Sequence, residues 1–305
     1  MPDLLTWAAR AGRGLVLELA CPHGGSRVRP RVAGSTPVLV TTCLAEAPVA
    51  LPVELLARGV ARVVVRADTC AEPAPVLDHW VGLADAFDLP LEVVTEVDPD
   101  AEGEPVEAVR ADALPTIRRR GLFGLRTPDE PAADIVPAGT DHQRLRQALR
   151  AVLAGEDPGE GGAAPAASGP GIGLLLSAPD CDLAGVCVQV CPETALAIGH
   201  RSDGSAVLTL DPGACHGCGT CVAACPSRAL QPVGQASWGS LLGDSRAVVA
   251  DVATRVCERC QVRFRRREDG QLCPVCAQRR AQPFGSVLPE EVRKLLRDRS
   301  GPQPR

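Results

Sequence analysis

The chain of 305 residues contains no tyrosine, one methionine, three tryptophans and four phenylalanines. Its apolar cores must therefore be built from Leu, Val and Ala, and such cores carry no functional signal. No apolar run approaches the ~18 residues that a membrane span needs. The opening Met1, Pro2, Asp3 lacks the positive lead and apolar centre of a secretory signal, so the expectation is a cytoplasmic protein without a membrane span. Glycines at 169, 171 and 173 match neither a phosphate loop nor a dinucleotide fingerprint, which argues against a bound nucleotide. His79 and His142 fall in helix-like stretches and His200 in a Gly/Ser/Asp turn region, positions that suit packed or solvated rings better than ligands. No acid, base and nucleophile constellation stands out, so a non-catalytic component is expected rather than an enzyme.

Cysteine, by contrast, is plentiful. Fourteen are present, and in a reducing compartment their spacing reads as metal ligation rather than as a disulfide framework. Charge is uneven as well: residues 255–305 hold 13 basic and 6 acidic side chains, while the rest of the chain is acidic. The blander account of such a tail is a solvated face.

The length exceeds what one core usually supports. Residues 1–155 alternate β-branched apolar runs with helix-like stretches, the pattern of an α/β domain with a parallel sheet. Candidate strands lie at 15–20, 38–42, 62–66 and 91–96, and candidate helices at 52–58, 75–87 and 142–153. Residues 156–171, almost all Gly, Ala, Pro, Ser or acid, read as a flexible linker. A cysteine-rich α+β domain is expected at 172–234, then a connector at 235–252, a small metal ribbon at 253–282, and a basic tail at 283–305 with a helix over 289–299.

Two segments repeat one another when aligned on cysteine: CDLAGVCVQVCPETALAI from Cys181 and CHGCGTCVAACPSRALQP from Cys215. The second copy is a C-x2-C-x2-C-x3-C-P run, Cys215, Cys218, Cys221, Cys225 and Pro226. Three cysteines at such short intervals wrap the backbone around one iron-sulfur cube, and the fourth points elsewhere. Zinc sites usually present paired C-x2-C knuckles instead. Over about 60 residues this resembles the two-cluster bacterial ferredoxin family. The resemblance implies one 4Fe-4S cluster on Cys191, Cys215, Cys218 and Cys221, with Cys225 joining the ligands of the first copy. That copy has Ala184 where the second has Cys218, leaving Cys181, Cys187 and Cys225. Three-ligand sites in this family usually hold a 3Fe-4S cluster. Asp182 is the alternative oxygen ligand for a 4Fe-4S cluster, although related ferredoxins that use an aspartate place it at the position of Ala184.

Cys257, Cys260, Cys273 and Cys276 form C-x2-C-x12-C-x2-C, the tetrahedral zinc-ribbon arrangement. The same spacing resembles the rubredoxin-like domain of rubrerythrins, which makes iron the alternative metal. Gln261 and Ala277 follow the two pairs where rubredoxin knuckles favour glycine, so zinc is the expectation. Arg263, Arg265, Arg266 and Arg267 decorate the spacer, but without the interleaved aromatics of single-strand binders. An acidic protein partner is expected rather than nucleic acid.

Cys21, Cys43 and Cys70 each follow a predicted strand, in LVLELAC, PVLVTTC and VVVRADTC. Parallel strands would bring them to one edge, where open α/β sheets bind ligands. His23 could complete such a site. It would hold a 2Fe-2S cluster or offer a reactive dithiol, while for any one of the three the plain account is a buried small hydrophobe. The stretch TTCLAEAPVALPVELLARGVARVVVRADTC resembles the iron-sulfur (delta) subunit family of methyl-viologen-reducing hydrogenases, over about 80 residues. That resemblance implies electron passage between a hydrogenase and a partner enzyme.

Together these features lead us to expect an electron-transfer protein that relays single electrons for a redox enzyme, as a subunit of an oxidoreductase complex. The rival is a redox-responsive regulatory protein whose clusters sense oxidant while the ribbon binds a partner or nucleic acid.

Overall fold

In β4 (Arg62–Arg66) three consecutive valines, Val63, Val64 and Val65, are fully buried, as befits a strand covered on both faces in a parallel sheet. The computed structural model describes residues 2–11, 14–70, 74–96, 104–114, 139–154, 167, 169–243, 245–266 and 270–282. The expected linker at 156–171 and the tail at 283–305 therefore fall almost wholly outside the described residues. At the linker's end, Ala167 is buried and Pro170 already belongs to a strand.

The N-terminal region runs α1 (Pro2–Ala11), β1 (Val16–Ala20), β2 (Arg27–Val28), β3 (Thr36–Leu39), α2 (Leu51–Ala57), β4, α3 (Pro75–Phe87), β5 (Leu91–Val94), β6 (Val106–Glu107), β7 (Val109–Arg110) and α4 (Asp141–Ala154). Its sheet has the order β5-β4-β1-β3-β7 and every pairing in it is parallel. β3 lies on one side of β1 and β4 on the other, so the chain changes direction at β1. Cys21, Cys43 and Cys70 leave the carboxyl ends of these three adjacent strands.

A charged residue inside β1 positions the first of those loops. Glu18 is fully buried; its Oε1 accepts from the backbone N–H groups of Arg31 (2.7 Å) and Val32 (3.0 Å) and from Ser35 Oγ (2.7 Å). Arg66, at the end of β4, pairs with Glu18 at 3.3 Å and with Asp68 at 2.7 Å. A buried carboxylate is tolerated only when it is hydrogen-bonded and paired like this. The effect is to tie the loop after Cys21 to the loop before Cys70.

The second region contains β8 (Pro170–Ser177), α5 (Val186–Gln189), β9 (Leu196–His200), β10 (Ser205–Leu210), α6 (Thr220–Ala223) and β11 (Gln231–Ser237). β8 pairs with β11 and β9 with β10, both antiparallel, so each pairing takes one strand from each sequence copy. Residues 235–252, expected as a connector, are instead structured. They hold the end of β11, a short turn at Trp238–Leu241 and most of β12 (Ala247–Val256). β12 pairs with β10 at one end and with β13 (Arg263–Arg265) at the other, in a sheet of order β13-β12-β10-β9. The expected boundary at 253 therefore falls inside one strand. The described chain ends in α7 (Pro274–Ala281).

The two regions share a seam. Trp238 is buried in the N-terminal core, against Gly82 of α3, where an added Cβ would lie 2.8 Å from the indole. From α4, His142 Nε2 donates to Gly213 O (2.7 Å) and Arg146 Nε to Leu241 O (2.9 Å). Just before α4, Thr140 Oγ1 donates to Glu193 Oε2 at 2.8 Å.

Candidate metal centres

The sequence duplication is visible in the backbone. Leu183 and Gly217 occupy equivalent positions and both have positive φ, 61° and 77°; Gly185 and Gly219 repeat this at 74° and 70°, and Thr194 and Arg228 at 51° and 52°. These left-handed residues turn the chain so that successive cysteines face inward. Gly217 has a second reason to be glycine, because a Cβ there would lie 2.3 Å from Ile172 O of β8. Leu183 meets no such wall and keeps its side chain, at the cost of a backbone region that L residues seldom adopt.

Each copy closes around a small cavity. One is lined by Cys181, Cys187 and Cys225 together with Ala184 and Asp182. The other is lined by Cys191, Cys215, Cys218 and Cys221. The last cysteine of each copy thus sits in the cavity of the other. In the first cavity Asp182 Oδ1 accepts the backbone N–H of Ala184 at 3.1 Å, which occupies that carboxylate locally.

Backbone amides aim at the sulfurs. Leu183 N–H donates to Cys181 Sγ (3.4 Å), Ala195 N–H to Cys191 Sγ (3.3 Å) and Leu174 N–H to Cys215 Sγ (3.5 Å). Such donors stabilise thiolate and sulfide charge and are one of the levers on cluster potential. Burial pushes the metal-free Cys187 thiol up to about 11, so only a metal would hold it as thiolate at neutral pH. Thiols that converge on a largely apolar cavity, with backbone amides aimed at them, are the donor set that an iron-sulfur cube takes.

In the ribbon, the Sγ atoms of Cys257, Cys260, Cys273 and Cys276 all lie within 4.8 Å of one another, with Cys260 and Cys273 at 3.7 Å. Cys273 caps α7, its sulfur accepting the N–H of Cys276 at 3.4 Å. The four sulfurs make a compact metal-binding module. Arg265 of β13 reaches back to the first cavity. Its Nη1 donates to Pro179 O (3.1 Å) and Cys181 O (3.4 Å) and pairs with Asp180 (3.5 Å). Nothing in the arginine run singled this residue out; its role needed the path of β12.

At the parallel-sheet edge, Cys21 Sγ lies 3.6 Å from Cys43 Sγ and 3.2 Å from His23 Nδ1. The short helical turn Pro22–Gly24, directly after Cys21, folds the imidazole back onto its neighbour. The donor atoms of Cys21, His23 and Cys43 all lie within 4.8 Å of one another, a group that does not include Cys70. Burial pushes the Cys21 thiol up, but the N–H groups of His23 and Leu44 and the thiols of Cys43 and Cys70 outweigh it and bring it down to about 7. Burial and these neighbours drive Cys70 up to about 12. The other histidines are placed in packing roles. His79 is edge-on to Trp238, and His142 is buried against Gly213. His200 ends β9 rather than lying in a turn.

Residues 180–229 match the family model described as a 4Fe-4S dicluster domain. This stretch is a ferredoxin-like iron-sulfur domain that carries a 4Fe-4S cluster and serves electron transfer. No curated protein matches the chain. Among the described residues no helix is long and apolar enough to cross a membrane.

Proposed function

We propose that this chain is an electron-relay subunit of an oxidoreductase complex. The observation that carries the reading is the pair of equal, thiol-lined cavities inside one dicluster domain, each completed by a cysteine from the other copy. Cys191, Cys215, Cys218 and Cys221 would hold a 4Fe-4S cluster. Cys181, Cys187 and Cys225 would hold a 3Fe-4S cluster, because Ala184 offers no donor and Asp182 is engaged with the backbone. A seven-iron pair of this kind supplies reversible one-electron chemistry.

The chain's own residues hold the sulfurs at fixed separation, exclude water with Leu174, Leu176, Leu208, Leu210 and Leu230, and aim amides at the thiolates. The carboxylate and imidazole that line the second cavity, Glu193 and His216, are paired with each other at 3.6 Å, which suits a relay better than a catalyst. We assign zinc to Cys257, Cys260, Cys273 and Cys276, and take the partner to be a redox enzyme.

The test is an iron count with electron paramagnetic resonance on anaerobically purified chain. About seven irons and a three-iron signal after mild oxidation are expected; about eight irons without that signal would overturn the assignment. Affinity purification under the same conditions should bring down an oxidoreductase.

One observation favours a second reading. Arg265 ties the ribbon to the Cys181 loop, so loss of the first cluster would release the ribbon. If the protein is a redox-responsive regulator, binding of a partner or nucleic acid should change with cluster state, while a relay binds its partner in either state.

A further inference from the structure

Among the described residues, two groups of three or more donors converge within 4.8 Å: the four ribbon cysteines, and Cys21, His23 and Cys43. The ferredoxin cysteines, which surround cavities, form no such group. Donor separation therefore distinguishes what a site can hold. Two thiolates on one tetrahedral zinc ion sit about 3.8 Å apart, and a thiolate and an imidazole nitrogen about 3.5 Å, given Zn–S and Zn–N bonds near 2.3 and 2.0 Å. The Cys21–Cys43 distance of 3.6 Å and the Cys21–His23 distance of 3.2 Å lie close to those edges, as does 3.7 Å in the ribbon.

Cys70, just beyond the end of β4, is not among the converging donors. A two-iron cluster spreads its ligands over two metal ions, two on each. Two thiols and an imidazole whose donor atoms all lie within 4.8 Å of one another are instead arranged about one point. Two cysteines and one histidine, with a water in the fourth position, are an established zinc set. The site is built rather than incidental: Glu18 and Arg66 pin the loop that carries Cys21 and His23 to the end of β4, and the turn Pro22–Gly24 presents the ring.

We propose that Cys21, His23 and Cys43 bind a single tetrahedral zinc ion at the carboxyl edge of the parallel sheet. It would fasten the loops after β1 and β3 at the crevice where a doubly wound sheet otherwise takes its ligand. The N-terminal region would then be redox-silent, and electrons would travel only through residues 170–237. This inference does not rest on the relay reading; it concerns a different set of donors.

The test is metal analysis of the full chain, purified anaerobically. The wild type should hold about two zinc ions, and Cys43→Ser about one, with iron content and cluster spectrum unchanged. The Cys257→Ser/Cys260→Ser chain keeps the N-terminal site intact, and its remaining zinc should show two sulfurs and one histidine nitrogen by X-ray absorption. His23→Gln in that background should remove the imidazole signature. Loss of iron in Cys43→Ser would overturn the proposal in favour of a cluster. Unchanged zinc in Cys43→Ser, or no zinc in the ribbon-deficient chain, would overturn it outright.

Discussion

The ferredoxin segment and the ribbon use the same ligand atom to opposite geometric ends. In the segment, left-handed residues on either side of the central ligand position hold the sulfurs apart around a cavity. In the ribbon, two knuckles press four sulfurs to within 4.8 Å. The contrast teaches that cysteine number says little about cargo. Backbone conformation between the cysteines decides whether they can touch, and hence whether they take a polynuclear cluster or one ion.

The largest break in this comparison should come from removing ligands on each side. Cys221→Ser together with Cys215→Ser should cost the whole cluster of the second cavity, about four irons per chain, whereas Cys273→Ser should cost one zinc ion and leave iron unchanged. Parallel iron and zinc determinations check both; iron loss in the ribbon variant would erase the distinction. Ala184→Cys should sharpen it. Restoring the missing donor should raise iron from about seven to about eight and abolish the three-iron resonance.

A smaller effect is expected at the join between the two sites. The Arg265 guanidinium, against the carbonyls of Pro179 and Cys181, favours the more negative, reduced form of the first cluster. Arg265→Gln should shift its reduction equilibrium three- to tenfold toward the oxidised form, about 30 to 60 mV more negative at 59 mV per decade for one electron. Arg265→Lys should retain part of the wild-type value. A redox titration followed by electron paramagnetic resonance checks this, and identical midpoints with full iron content would exclude any tuning by the ribbon.

The smallest effect concerns pH at the seam. Burial holds His142 below the ordinary histidine range, although the Gly213 carbonyl opposes it. The unfolded chain therefore takes up a proton first as pH falls through about 6.5, and stability is lost below that point. In His142→Asn the Tm should fall less steeply between pH 7.5 and 5.5 than in the wild type. Equal slopes in the two chains would remove the seam histidine from the acid response.

Much of this was legible from spacing. The cysteine runs marked the duplicated segment and the ribbon, and three cysteines at three strand ends predicted their meeting at one edge, because parallel strands share a carboxyl side. The strand at 62–66 and the helix at 75–87 carry clear apolar periodicity, and they form over those bounds. Other features depended on contacts distant in sequence. The stretch WGSLLGDS looks like loop chemistry, yet Trp238 and Leu241 are buried against the N-terminal core and β12 follows directly. Glu18 breaks an apolar strand for a reason visible only once residues 31, 32 and 35 fold over it. The helix at Pro2–Ala11 is too short to announce itself by pattern.

The exchange of Cys191 and Cys225 between the two halves turns cofactor loading into a problem of order. Neither half can mature alone, since each cavity lacks a wall until the other copy has arrived. Insertion machinery would have to meet a chain already folded back on itself, with β8 beside β11 and β9 beside β10. The same exchange makes damage contagious: an oxidant that strips one cluster frees a thiol on the segment that encloses the other, so decay should proceed in correlated pairs rather than site by site.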